Sequence, residues 1–164
     1  MGAVAGAVLI GDQITKAWAL TALDDGSTVP LVGSLRLRLV FNRGTAFGLG
    51  SRFGPLIALL GVVVVVLLAR TGGALRRPSA RIGLGLVLGG AVGNLADRVL
   101  RSGGGVLGGA VVDFIDLQWW PVFNLADAAI TVGAVVVALT ARDDPGLGSQ
   151  ADEDGRPGDR HASW

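Results

Sequence analysis

The sequence has no cysteine and a single histidine, His161, which lies in a polar C-terminal stretch. Without thiols there is no disulfide framework, no thiolate nucleophile and no sulfur-ligated metal or cluster. One histidine in such a setting leaves neither a serine-histidine pair nor a histidine metal site to build. Charge is scarce as well. Only 16% of the 164 residues are charged, against about 25% in a typical soluble domain. The net charge is +1, and four Trp and five Phe offer no basic, aromatic-rich surface for nucleic acid. What remains is apolar: 51% hydrophobic residues and a mean hydropathy of +0.58. The length suits one domain, and the composition suits an all-α integral membrane protein, because a chain crossing hydrocarbon must close its backbone hydrogen bonds within each helix.

Four uncharged or nearly uncharged stretches predict a four-helix transmembrane bundle, with spans at about 2–23, 53–69, 81–100 and 121–141. The first is interrupted by Asp12, Gln13 and Lys16; an acid and a lysine do not suit the core of a signal peptide, so it reads as a retained helix. The fourth follows Trp119 and Trp120, a pair suited to the membrane interface. Between the first two spans, Leu35-Arg36-Leu37-Arg38-Leu39-Val40-Phe41 alternates apolar and basic, the period of a half-exposed strand, and predicts a small β-sheet on the membrane surface. Residues 142–164 are rich in Gly, Pro and Asp without apolar periodicity, and read as a disordered cytoplasmic tail. The dense basic connection holding Arg70, Arg76, Arg77 and Arg81 places that end in the cytoplasm and, with four spans, both termini with it.

This topology brings the polar residues to one depth. Asn94, Asp97 and Arg98 fall in the last turns of the third span, and Asn124 and Asp127 in the first turns of the fourth. Asp113, in the intervening Val111-Val112-Asp113-Phe114-Ile115-Asp116, reaches the same outer face, as does Asn42. Within each helix the i,i+3 pairs Asn94/Asp97 and Asn124/Asp127 project from one side. Ionisable groups in spans cost about 2.5–3.5 kcal/mol each at the centre on insertion scales, so several at one face imply a site. The competing interpretation is that they fasten helices together. Asp97-Arg98 reads as such a lock, Asp12 and Lys16 suit either role, and Asp116 reads as an interfacial charge.

Two carboxylates in a site poor in water do not both ionise cheaply: one keeps a proton and the other stays charged. Such a pair activates water against a carbonyl without nucleophilic side chain, metal or cofactor. Asp113 and Asp127 make the best pair on this argument, although Asp97 serves chemically for either. A proton-coupled transporter or a structural protein with paired acids is the alternative class. The gathering of polar groups at one face, with no internal repeat, counts against transport.

Five ordered blocks carry a resemblance: Asp12-Gln13-Ile14-Thr15-Lys16; Phe41-Asn42-Arg43-Gly44-Thr45-Ala46-Phe47-Gly48; Gly89-Gly90-Ala91-Val92-Gly93-Asn94-Leu95-Ala96-Asp97-Arg98; Val111-Val112-Asp113-Phe114; and Phe123-Asn124-Leu125-Ala126-Asp127. Together they resemble the lipoprotein signal peptidase (signal peptidase II) family over roughly residues 10–140. The resemblance implies a membrane aspartic endopeptidase that removes signal peptides from diacylglyceryl-modified prolipoproteins, cutting before the lipid-bearing cysteine in the bacterial cytoplasmic membrane. It implies a catalytic dyad of Asp113 and Asp127, with Asn42, Asn94, Arg98 and Asn124 lining the site and Asp12, Lys16 and Asp97 in support. It further implies no cofactor, contact with membrane lipid, inhibition by globomycin-type cyclic peptides, and a monomer. The segment between Arg98 and Asp113 is longer and richer in glycine than the family pattern.

Overall fold

The computed structural model describes residues 1–44, 54–71, 77–101 and 107–142. The expected tail beyond Arg142, the Thr45–Gly48 part of the second block and the Gly-rich 102–106 lie outside them. In chain order the elements are α1 (Gly2–Ala22), β1 (Thr28–Val32), β2 (Leu35–Asn42), α2 (Gly54–Thr71), α3 (Pro78–Leu100), β3 (Val111–Asp116) and α4 (Leu125–Arg142). The fold is therefore four helices and a three-stranded antiparallel sheet of order β1-β2-β3. Among the described residues α3 is long and apolar enough to cross a membrane, and Gly61–Arg70 and Leu125–Thr140 are shorter apolar helical stretches.

Helix α1 is polarised in an unusual sense. Its inward stripe, at the i, i+4, i+7 spacing of one helix face, is Asp12, Lys16 and Ala19. The opposite side presents Ile10, Ile14 and Trp18 outward. Helix α3 begins with Pro78 in its first turn, where the missing N–H leaves no bond unmade. It packs closely on two sides because glycine lines both contacts. A Cβ on Gly133 of α4 would lie 2.5 Å from the Gly83 carbonyl of α3, and one on Gly93 would lie 2.6 Å from Asp12 Oδ2 of α1.

The sheet caps one end of the helices. A tight turn at Gly33, with φ of +57°, joins β1 to β2, and β2 pairs with β3 through Arg36–Asp116, Leu37–Ile115, Val40–Asp113 and Phe41–Val112, with a register shift between Leu37 and Val40. Val112 and Phe114 bury against Ala19 of α1 and Leu23 just after it, and the Trp18 and Phe114 rings meet edge to face at 6.3 Å. The expected strand at Leu35–Phe41 is β2. The segment around Asp113, expected only as a connection, is a strand with nearly every residue buried. Asp116, expected as an interfacial charge, is 2% exposed and accepts hydrogen bonds from Arg36 Nε (2.8 Å) and Arg38 Nε (2.7 Å). The alternating arginines of β2 therefore grip the neighbouring strand.

Candidate active site

Helix α4 starts four residues later than the predicted span, for a local reason. Phe123 pairs with Ile115 across an isolated bridge, which holds the chain extended up to Asn124. Asn124 then caps the helix: Asp127 N–H donates to Asn124 Oδ1 (3.0 Å), and Asn124 N–H donates back to Asp127 Oδ2 (3.2 Å). This reciprocal arrangement is a capping box. It fixes the Asp127 carboxylate at the helix N-terminus, next to the end of β3.

Three asparagines converge on the two aspartates. Asn124 Nδ2 donates to Asp113 Oδ1 (2.7 Å), and Asn42 Nδ2 donates to Asp113 Oδ2 (3.0 Å). Asn94 Nδ2 donates to Asp127 Oδ1 (2.8 Å). Both oxygens of both carboxylates thus meet an N–H donor. The Asn42 amide is oriented by its own turn: its Oδ1 accepts the Gly44 N–H at 2.9 Å, and Gly44 sits at φ of +93°, where a side chain would be strained. Burial pushes the Asp113 carboxyl up to about 6, and the neighbouring Asp127 charge adds to the rise, against the lowering effect of the Asn42 and Asn124 amides.

Behind the asparagines lies a buried ion cluster. Lys16 Nζ is 2.8 Å from Asp12 Oδ2 and 2.9 Å from Asp97 Oδ2, all fully or almost fully buried, and donates to Asn94 Oδ1 at 2.9 Å. Asp12 Oδ1 accepts the Ala126 N–H of α4, and Asp97 accepts the Val112 N–H of β3 and pairs with Arg101 Nε. Asp97, expected to form a lock with Arg98 at its side, pairs instead with Lys16 and Arg101. Arg98 lies in the field of Asp113, Asp127 and Asp97, and its Nη1 is buried with no hydrogen-bond partner. Sequence reasoning missed Gln13, which donates to Asp12 and to the Gly93 carbonyl, and Arg101; Arg101 is i,i+4 from Asp97, a spacing that signals the pair.

Beside Asp127 opens an apolar groove of about 440 Å³, walled by Leu117, Trp119, Trp120, Phe123, Ala128 and Val132. Thr131, also on its wall, turns its hydroxyl back to the Asp127 carbonyl. A carboxylate on the wall of an otherwise apolar groove, Asp127, suits a ligand with apolar side chains and an adjacent polar group.

The fold is shared with solved bacterial membrane enzymes. One is 25% identical and superposes with a TM-score of 0.74 over 94% of this chain and 92% of its own. Another, 27% identical, gives 0.73 over 86% and 91%. Residues 4–142 match the family described as signal peptidase (SPase) II. The lipoprotein signal peptidase of Rhodococcus jostii (strain RHA1) is 46% identical over 137 residues, 83% of this chain and 69% of its own length. That of Mycobacterium avium (strain 104) is 41% identical over 137 residues, 83% and 75%. The chain therefore belongs to the signal peptidase II family and is a protease.

Proposed function

We propose that this chain is a four-span aspartic endopeptidase of the bacterial cytoplasmic membrane that removes signal peptides from diacylglyceryl-modified prolipoproteins, cutting before the lipid-modified cysteine. The observation that carries the proposal is the buried Asp113–Asp127 pair, with every carboxylate oxygen met by a donor. Two such groups share one proton. At Asp113 the neighbouring Asp127 charge adds to burial in favouring the neutral acid, so the proton is assigned to Asp113 and Asp127 acts as the base. Asp127 takes a proton from water as the oxygen attacks the scissile carbonyl, while Asp113 donates its proton to the carbonyl oxygen. Collapse of the tetrahedral intermediate returns the hydroxyl proton to Asp113 and passes the Asp127 proton to the departing amine. The dyad ends as it began. The unpartnered Arg98 Nη1 is the group available to hold a substrate carbonyl, and the apolar groove receives the signal-peptide side chains next to the cut.

A membrane setting is supported by the surface. Ile10, Ile14 and Trp18 of α1, Val63, Val66 and Leu67 of α2, and Val132, Val135 and Leu139 of α4 are all exposed, more large apolar side chains than a water-facing surface carries without a partner. The domain is residues 1–141, with lipid around it, the dyad near the outer face, both termini cytoplasmic and a monomer as the working unit. Globomycin-type cyclic peptides would compete for the groove.

The test is cleavage of a diacylglyceryl-modified prolipoprotein by the purified protein in lipid, read as a gel shift. Asp113→Asn and Asp127→Asn should each lower turnover by about 10²–10⁴-fold, the usual worth of acid–base assistance, while folding normally. A folded variant cleaving at the parent rate would exclude that residue from the dyad, and absence of cleavage by the folded parent would exclude the substrate.

A further inference from the structure

Each asparagine of the site is oriented by a group that can only donate. The Asn42 oxygen faces the Gly44 N–H and the Asn124 oxygen faces the Asp127 N–H, both main-chain donors that no substitution there removes. The Asn94 oxygen alone is held by a side-chain charge, the Lys16 ammonium at 2.9 Å, with Asn124 Nδ2 as its second donor at 3.1 Å. An ammonium has three donors and no acceptor. With its oxygen committed to Lys16, Asn94 must turn its NH₂ towards Asp127, where it lies at 2.8 Å.

The charge balance around Lys16 supports a role beyond fastening. Asp12, Lys16, Asp97 and Arg101 sum to zero, so the cluster is neutral as a unit. A neutral unit would suffice to lock α1 against α3. The ammonium, however, is the member that reaches towards the dyad: its charge acts on both Asp113 and Asp127, and Asp12 opposes it more weakly at Asp127. The charged groups acting on the dyad are then Asp12 and Lys16 from α1 and Arg98 from α3; Asp97 and Arg101 pair with each other behind them. β2 contributes the uncharged Asn42, since Arg36 and Arg38 are engaged by Asp116.

We propose that Lys16 is a positioning residue for the cleavage reaction: through the Lys16–Asn94–Asp127 chain, its ammonium fixes the donor on Asp127 and keeps that carboxylate the ionised member of the dyad. The proposal rests on the two-aspartate reading above. Asn94 touches the dyad directly, and Lys16 acts through it.

The experiment compares kcat and KM against pH for the parent, Lys16→Met, and Lys16→Met combined with Asp12→Asn, using the same prolipoprotein in lipid, with thermal melting to establish folding. The double variant keeps the cluster neutral and leaves no unpaired carboxylate opposite the new methionine. Lys16→Met should show the acid limb of the kcat profile moved by about one unit or more to higher pH, the size of effect expected when an opposite charge leaves a carboxylate's surroundings, and the double variant should show a smaller move in the same direction, because Asp12 opposes Lys16 only in part. The KM should change by less than about twofold, since Lys16 is fully buried and uniform binding is untouched. A folded double variant whose profile superimposes on the parent's would overturn the proposal and leave the cluster a structural lock. So would failure of both variants to fold. Asp113→Asn and Asp127→Asn, run alongside, separate this from failure of the underlying reading: if they retain parent turnover, the dyad itself is misassigned.

Discussion

Asp113 shows how one residue sets both the chemistry and its cost. Its carboxyl is held at about 6 in the folded chain against an ordinary 3.8, chiefly by burial. The folded state therefore binds a proton that the unfolded chain has already released between those values. The stabilisation is fully present below 3.8 and is lost as pH rises through about 6. A shift of this size corresponds to about 3 kcal/mol. Melting temperatures in detergent should show it: relative to Asp113→Asn, the parent should lose stability between pH 4 and pH 7. A pH-independent difference between the two melting curves would contradict the assignment of the proton to Asp113. That Asp113 and Asp127 come to one level, where both meet Asn124, was legible in the sequence from the order of the elements, and their catalytic pairing is the proposal. The ion cluster was legible only in its local i,i+4 pairs, Asp12–Lys16 and Asp97–Arg101, since the other partners of Asp97 lie on a different helix and a different strand. Asp116 was misjudged for the same reason: its arginines are eighty residues away in sequence, and the alternation that marked β2 as half-exposed concealed what its basic face grips.

At the scale of elements, glycine sets the distances on which the site depends. Helices α3 and α4 approach with Gly83 against Gly133, and Gly90 of α3 faces the Ala126 carbonyl of α4. This close packing holds Asn94 of one helix 2.8 Å from Asp127 of the other. Gly133→Ala would place a Cβ 2.5 Å from the Gly83 carbonyl and 2.9 Å from Leu86. Backbone on one side has nowhere to go, so the helices must part, at a cost of about 1–3 kcal/mol. Gly6→Ala, on the open side of α1 with nothing within 4 Å, removes a weak helix former and should be neutral or stabilising by up to about 1 kcal/mol. Melting temperatures of the two variants should move in opposite directions or differ clearly; equal effects would mean that the α3–α4 contact is not the tight one. The helices themselves were readable as uncharged runs, and β2 as an alternation. β3 escaped because a strand buried on both faces shows no alternation, and β1 because its five residues are all exposed.

For the whole molecule, the polar and apolar surfaces are exchanged relative to a soluble protein. Helix α1 hides an acid and a lysine and shows isoleucine and tryptophan, which is why hydropathy alone does not mark it as an apolar span. Lipid around the helices makes sense of that inversion, because the ion cluster is neutral and every charge in it is paired before lipid meets it. The proposed orientation rests on the two ends. Arg70 closes α2, and Arg77 donates to the Thr140 carbonyl, tying the start of α3 to the end of α4; in the proposed topology this basic end lies in the cytoplasm. The sheet and the Asp113–Asp127 site lie at the opposite end, which that topology turns outward. A chain without native cysteine gives a clean background for the test. Val32→Cys in the sheet, 74% exposed in the parent, should react with a membrane-impermeant maleimide on intact spheroplasts. Ser79→Cys, at the exposed start of α3, should react only after permeabilisation. The reverse pattern would invert the molecule and move the dyad to the cytoplasmic face, where a protease cutting exported precursors has no access to the translocated side of its substrate. Labelling of both positions on intact cells would remove the four-span reading.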